Sequence, residues 1–228
     1  LYELFIEGYT RKQWGCEPSE LSSSFAPKRI DLRRDGNRDL FLDGWQSFPP
    51  KGVNAAIESL VRNVAVTCGA EVTAADLVGV DAAAIVVTAA CDDFAGMPDA
   101  LPWRGVHLRS RYTPTSETGT LTPAYVINRP SMSVPYTRTT ETKWASGQRV
   151  AGTVVSEEYP GANAKHYPIP DVEGRNAETN VDLQFDIRAM LAPVPTFFCG
   201  RLATYRYQNQ VAVIVDAWAC AADVLASL

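Results

Sequence analysis

The sequence predicts a mixed α/β fold in which segments of helix and buried strand flank an inserted antiparallel sheet. Three patterns predict it. Toward both ends, apolar residues at helical spacing alternate with short, continuous apolar runs. From about Trp103 to Tyr159 the pattern changes to alternating β-branched and aromatic stretches broken by Pro and Gly. The 228 residues are 46 % hydrophobic, enough to bury the core of one or two domains.

The elements follow in chain order. Leu1, Leu4, Phe5 and Tyr9 recur at helical spacing, and with no cap or polar lead-in before them the chain reads as entering in mid-helix, as the later part of a longer protein would. Residues 17–48 read as irregular and basic, with Lys28, Arg29, Arg33, Arg34 and Arg38 close together. Val53, Ile57, Leu60, Val61 and Val64 predict an amphipathic helix after Pro50 and Gly52. DAAAIVVTAA is a short apolar run, as in a strand buried on both faces. VHLRSRYT, PAYVIN, VPYTRTTETKW and RVAGTVVSEEY predict the antiparallel sheet. A helix over Val181–Leu191, a strand over 195–199 and a last helix with Val211, Val215, Trp218, Ala222 and Leu225 on one stripe complete the chain. No internal repeat or low-complexity segment is present.

Composition excludes several classes. A net charge of −5 argues against a general nucleic-acid surface. No apolar run approaches the ~20 residues of a bilayer span, and no signal peptide opens the sequence. Five scattered cysteines without a CxxC pair favour reduced thiols in a cytoplasm over a disulfide or zinc framework. His107 and His166 are the only histidines, which excludes a His-rich metal site. There is no GxSxG elbow and no GxGxxG loop.

CGRLATYRYQN, residues 199–209, stands out. Turn residues are usually Gly, Asn, Asp, Ser or Pro. Here Arg201, Tyr205, Arg206 and Tyr207 crowd a strand-to-helix turn, and guanidinium and phenol groups are the donors an anion requires. Asn209 is a good N-cap for the helix that follows.

LYELFIEGYTRKQWG, VPYTRTTETK, EEYPG, HYPIP and GRLATYRY, in that order and spacing, resemble UDP-galactopyranose mutases. The resemblance implies a flavoenzyme, an isomerase that interconverts pyranose and furanose forms of a UDP-sugar such as galactofuranose, of the kind used in cell-wall biosynthesis. In it the N5 of a reduced FAD attacks the anomeric carbon, expels the diphosphate and forms a flavin–sugar adduct. It further implies a Rossmann-like FAD-binding domain, discontinuous in sequence, whose Gly-rich pyrophosphate loop lies before Leu1. On this reading residues 1–25 are the end of a helical domain with a substrate-site segment, 26–48 a mobile substrate loop and 49–101 part of the FAD-binding domain. Residues 102–165 are then the antiparallel substrate domain and 166–228 the C-terminal part of the FAD-binding domain.

Carried over by motif, the resemblance assigns catalytic contact with the diphosphate to Arg29, Arg138, Tyr167 and Tyr207. Lys28 competes with Arg29 because the loop has one extra residue. Tyr9, Thr10, Trp14, Phe41, Arg104 and Glu158 match substrate-lining positions, with packing as the alternative for Trp14 and an exposed strand-end charge for Arg104 and Glu158. Gly200, Arg201 and Asn209 match cofactor positions, and the last helix would aim its N-terminus at the reduced flavin. The expectation is that Arg138, Tyr167 and Tyr207 meet around one pyrophosphate. Asn209 replaces an acidic residue, Leu40 a loop tyrosine and His166 an aromatic, so the sugar and nucleotide stay open. The implied ligand is UDP-galactose or a related NDP-sugar, and a homodimer is left open. Two alternatives remain: a flavin-free module that binds a sugar nucleotide without catalysis, and an amine-oxidase-like flavoprotein, against which the Arg/Tyr set argues.

Overall fold

A computed structural model describes residues 2–23, 36 and 47–228. In chain order, a π-helix over Glu3–Glu7 runs into α1 (Gly8–Trp14), and a 3-10 turn over Pro18–Glu20 and α2 (Val53–Leu60) follow. Next come β1 (Ile85–Val87), α3 (Cys91–Phe94), β2 (Trp103–Thr113), β3 (Val126–Asn128), β4 (Arg138–Glu141) and α4 (Lys143–Ser146). β5 (Thr153–Pro168), α5 (Arg175–Leu191), β6 (Thr196–Phe198), α6 (Gly200–Ala203) and α7 (Gln210–Ser227) close the chain. The architecture is mixed α/β, with a four-stranded sheet in the order β2-β5-β4-β3 and a separate parallel pair, β1 and β6. The β3–β4 and β4–β5 pairings are antiparallel.

The described chain forms two compact units. One holds residues 2–9, 36, 47–69 and 107–159, the other 10–23, 70–106 and 160–228. The first is organised by polar staples. The fully buried Glu141 accepts from Leu121, Thr122 and Thr153. The Lys143 ammonium, also buried, donates to the hydroxyl of Thr115 and to the carbonyls of Ser116, Val150 and Gly152. The second unit is apolar at its centre. Leu183, Ile187 and Leu191, at helical spacing on α5, pack with Val87, Cys91, Phe94, Leu101, Ala203 and Tyr205.

Several elements differ from the sequence reading, each for a local reason. β1 is buried on one face only: Val87 enters the core while Val86 is 47 % exposed, because its only described partner strand is β6. α2 stops at Leu60, and Val61, Asn63 and Val64, weak helix formers, lie outside it. Its large apolar residues Val53, Ile57 and Leu60 are exposed. Trp144 falls in α4 rather than in a strand, with Gly147 left-handed at the C-cap. α5 begins six residues before Val181, since the Asp171 carboxylate accepts from the backbone N–H groups of Arg175 and Asn176 at 2.9 and 3.0 Å. Both are orphan donors of the first turn.

α7 is N-capped as expected, with Asn209 Oδ1 accepting from Ala212 N at 2.9 Å. Its apolar stripe, however, does not enter a core: Val211, Val215 and Leu225 are exposed and Trp218 is 77 % exposed. With 18 residues and a hydropathy of 1.5, α7 is the one described helix long and apolar enough to cross a membrane by length and composition, where the sequence reading found no such run. Those two properties alone do not make a span, and the helix carries Asp216 and Asp223.

Candidate functional site

In the second unit, three distant segments deliver an aromatic group. Trp14 ends α1, Tyr167 lies near the end of β5, and Tyr207 sits between α6 and α7. The Trp14 ring meets Tyr207 edge-on at 5.5 Å and Tyr167 at 6.3 Å, and the two tyrosine rings are 5.8 Å apart. Such tilted arrangements set the positive ring edge against the negative face. Trp14 is buried, and its ring packs against both phenol-bearing residues.

Arg201 joins the two tyrosines. Its guanidinium carbon lies 4.9 Å from the Tyr167 ring centre and 5.5 Å from that of Tyr207, within cation–π range. Nε donates to the Gln208 carbonyl at 3.0 Å, Nη2 donates to the same oxygen, and Nη1 donates to the His166 carbonyl at 3.3 Å. His166 directly precedes Tyr167, and Gln208 directly follows Tyr207. The planar fork thus ties together the backbone beside both phenols, which an ammonium point charge could not do.

The four turn residues divide by role. Tyr205 is buried, at φ +50°, with its hydroxyl accepting from Ile169 N at 3.1 Å and donating to the Pro102 carbonyl. Burial raises its pKa, opposed by the Ile169 donor. Arg206 pairs with Asp216 at 2.6 Å. Tyr205 and Arg206 therefore hold the segment, while Arg201 and Tyr207 form the group described above. Gly200, at φ +85°, starts α6 in a conformation that favours glycine.

Arg104 lies in this unit too. Its Nε donates to the Gln13 carbonyl at 2.9 Å and its Nη2 to the Lys12 carbonyl at 3.0 Å, the last carbonyls of α1 before Trp14. It caps that helix end. Gly15 permits this, because a Cβ there would lie 2.8 Å from the guanidinium carbon. Burial lowers the Arg104 pKa, opposed by Cys16. Thr10 is buried on α1. Gln13 and Gln208, the neighbours of Trp14 and Tyr207, each bury a side-chain amide oxygen that has no hydrogen-bond partner among the described residues.

The first unit contributes a separate polar group. Arg138, at the start of β4, is the register partner of Glu158 on β5, and Arg138 Nε reaches Glu158 Oε1 at 3.1 Å. Its Nη2 donates to the Tyr9 hydroxyl at 2.8 Å. The fully buried Thr137 donates from its hydroxyl to Glu158 Oε1 at 3.2 Å. Tyr9 is set by a close approach next to it, since a Cβ on Gly8 would lie 2.4 Å from the Pro130 carbonyl oxygen. A guanidinium oriented by a phenol and a carboxylate is suited to an oxyanion. Arg29, Lys28, Leu40 and Phe41 lie outside the described residues.

Sequence reasoning did not single out Asp216, Gln208 or Thr137. The signal for Asp216 was its place seven residues after Asn209, two turns along the same helix face.

The fold is shared with a crystal structure of reduced UDP-galactopyranose mutase, at a TM-score of 0.63 and 16 % identity, covering 90 % of this chain and 59 % of that one. The chain belongs to the UDP-galactopyranose mutase family, whose model matches residues 4–207. It is 30 % identical over 236 residues to a probable UDP-galactopyranose mutase of Klebsiella pneumoniae, covering all of this chain and 58 % of that protein. It is 27 % identical over 233 residues to a dTDP-fucopyranose mutase of Escherichia coli, covering 97 % of this chain and 59 % of that protein. The chain therefore spans less than two thirds of the length of the curated relatives it matches.

Proposed function

We propose that this chain is the sugar-nucleotide-binding part of a flavin-dependent mutase that interconverts ring forms of an NDP-sugar. The observation that carries the reading is the pairing of Tyr167 and Tyr207 side by side, bridged by the Arg201 guanidinium. Phenol donors at that spacing suit the oxygens of a diphosphate, and charge-assisted hydrogen bonds of this type contribute about 1.5–3 kcal/mol each. Arg138, oriented by Tyr9 and Glu158, carries the same phosphate chemistry in the other unit. Named relatives act on UDP- and dTDP-linked sugars, so the nucleotide class is supported more strongly than the sugar.

The residues present fit a flavin. The partnerless buried amide oxygens of Gln13 and Gln208 suit a ring imide N–H, which flavin and uracil share. The N-terminus of α7 favours the negative charge of a reduced ring system. Gly200 and the Arg201 segment would line the cofactor beside α7. A reduced flavin, when bound, supplies the nucleophile for the anomeric carbon. The protein's part is to orient the sugar, hold the departing diphosphate for its return and exclude water. Arg29 is proposed as a further diphosphate contact.

The test has two arms. Isothermal titration of the 228-residue chain with UDP should show binding that Tyr207→Phe and Arg138→Ala each weaken at least about tenfold, or 1.4 kcal/mol. Fusing the remaining part of the K. pneumoniae relative should give a yellow protein that converts a UDP-sugar only after reduction. A fused, folded protein that stays colourless removes the mutase reading. UDP binding without flavin uptake leaves the flavin-free module.

A further inference from the structure

We propose that Asp216 is the positioning residue that sets Tyr207 in place. The inference rests on reading Tyr207 as a phenol that meets the nucleotide diphosphate, and adds what holds that phenol. Asp216 stands in the second turn of α7. Its Oδ2 accepts from Arg206 Nη2 at 2.6 Å and from Gln208 Nε2 at 2.5 Å. Those donors are the two immediate neighbours of Tyr207. The side chains of residues 206 and 208 turn toward the carboxylate, while the Tyr207 ring packs against Trp14 and Tyr167. One oxygen therefore grips both shoulders of the phenol-bearing residue.

The anchor is itself fixed. Asn209 caps the helix through Ala212 N at 2.9 Å, and Val213 N donates to the Asn209 carbonyl at 3.1 Å, so the first two turns of α7 form a rigid support. Arg201 holds the same segment from the opposite end through the Gln208 carbonyl. Tyr207 is consequently located twice, by main-chain bonds to Arg201 and by side-chain bonds to Asp216. Small displacements of a substrate-orienting group are costly to a reaction that depends on alignment. Asp216 needs no contact with the ligand to act this way.

The experiment labels the chain with 3-fluorotyrosine and assigns the Tyr207 fluorine resonance by its loss in Tyr207→Phe. Asp216→Ala should shift and broaden that resonance while leaving the buried Tyr205 signal in place. Arg206→Ala combined with Gln208→Ala should reproduce the change, and adding Asp216→Ala to that pair should change nothing further. Asp216→Asn, which keeps an oxygen acceptor and the side-chain shape, should give an intermediate shift and serves if Asp216→Ala does not fold. UDP affinity should fall about tenfold in Asp216→Ala, and no further when Tyr207→Phe is added to it. A merely structural carboxylate would lower the melting temperature without moving the Tyr207 signal; that result in a folded variant overturns the proposal. If the resonance moves as expected but the parent chain takes up no UDP, the positioning stands and the nucleotide reading fails.

Discussion

Glu141 and Thr153 are joined by a 2.7 Å hydrogen bond inside the first unit, and three further donors from Leu121 and Thr122 reach the same carboxylate. Burial by itself would raise the carboxyl pKa. The donors from Thr122, Thr153 and Leu121 outweigh it and bring it from 4.5 to about 2. The folded state therefore binds the proton less readily than the unfolded chain. The stabilisation is fully present above about pH 4.5 and is lost progressively as pH falls toward about 2. Glu141→Gln should lower stability at neutral pH by about 2–3 kcal/mol and flatten the decline between those two pH values. Urea denaturation across that range checks it, and an unaltered acid limb in the variant contradicts the assignment.

Arg201→Lys keeps the charge but cannot bond the Gln208 and His166 carbonyls together while stacking on both tyrosines. UDP affinity should drop about tenfold, with a loss of roughly 1–2 kcal/mol in stability. Calorimetry and thermal melts read the two effects separately. Full affinity in the lysine variant would leave the guanidinium without the bridging role.

Gly105→Ala should be severely destabilising. A Cβ at this position of β2 would lie 2.2 Å from the Ala162 carbonyl oxygen and 2.6 Å from that of Ala164, both rigid backbone atoms. The strands must separate, at a cost of about 3 kcal/mol or more. Soluble expression and the urea midpoint measure this, and a parent-like midpoint would rule out so close a crossing.

Tyr205→Phe should cost about 1–3 kcal/mol, because it leaves the Ile169 N–H without its phenol acceptor while preserving the ring against Trp103 at 4.9 Å. For a chain of this size, each kcal/mol corresponds to about 2–4 °C of melting temperature. A Phe variant with an unchanged melt would reduce Tyr205 to a packing residue.

The elements legible in the sequence were those whose signal is local. Alternation marked the sheet from β2 to β5, and the polar side chain of Asn209 marked the start of α7. What stayed hidden depends on contacts that periodicity does not encode. Asp171 starts α5 from beyond an intervening glycine, Gly174, so the cap cannot be read by adjacency. The turn containing Arg201 read as four ligand groups, yet Tyr205 and Arg206 are occupied by partners 36 and 10 residues away. Arg104 read as a strand-end charge or a substrate contact, and its bonds to the α1 carbonyls could not be read from its own motif. Trp14, Tyr167 and Tyr207, picked out by motif, lie together in the structure, while the carboxylate behind Tyr207 had no motif of its own.

α7 has no fully buried side chain along its 18 residues. Its first two turns are held by the Asn209 cap and the Asp216 tether, and Cys220 further along is half-buried near Cys199. Amide hydrogen exchange should grade steeply along this one helix, slow near Val213 and approaching the rate of free peptide toward Ala226. The end that supports Tyr207 is thereby insulated from the fraying of the other.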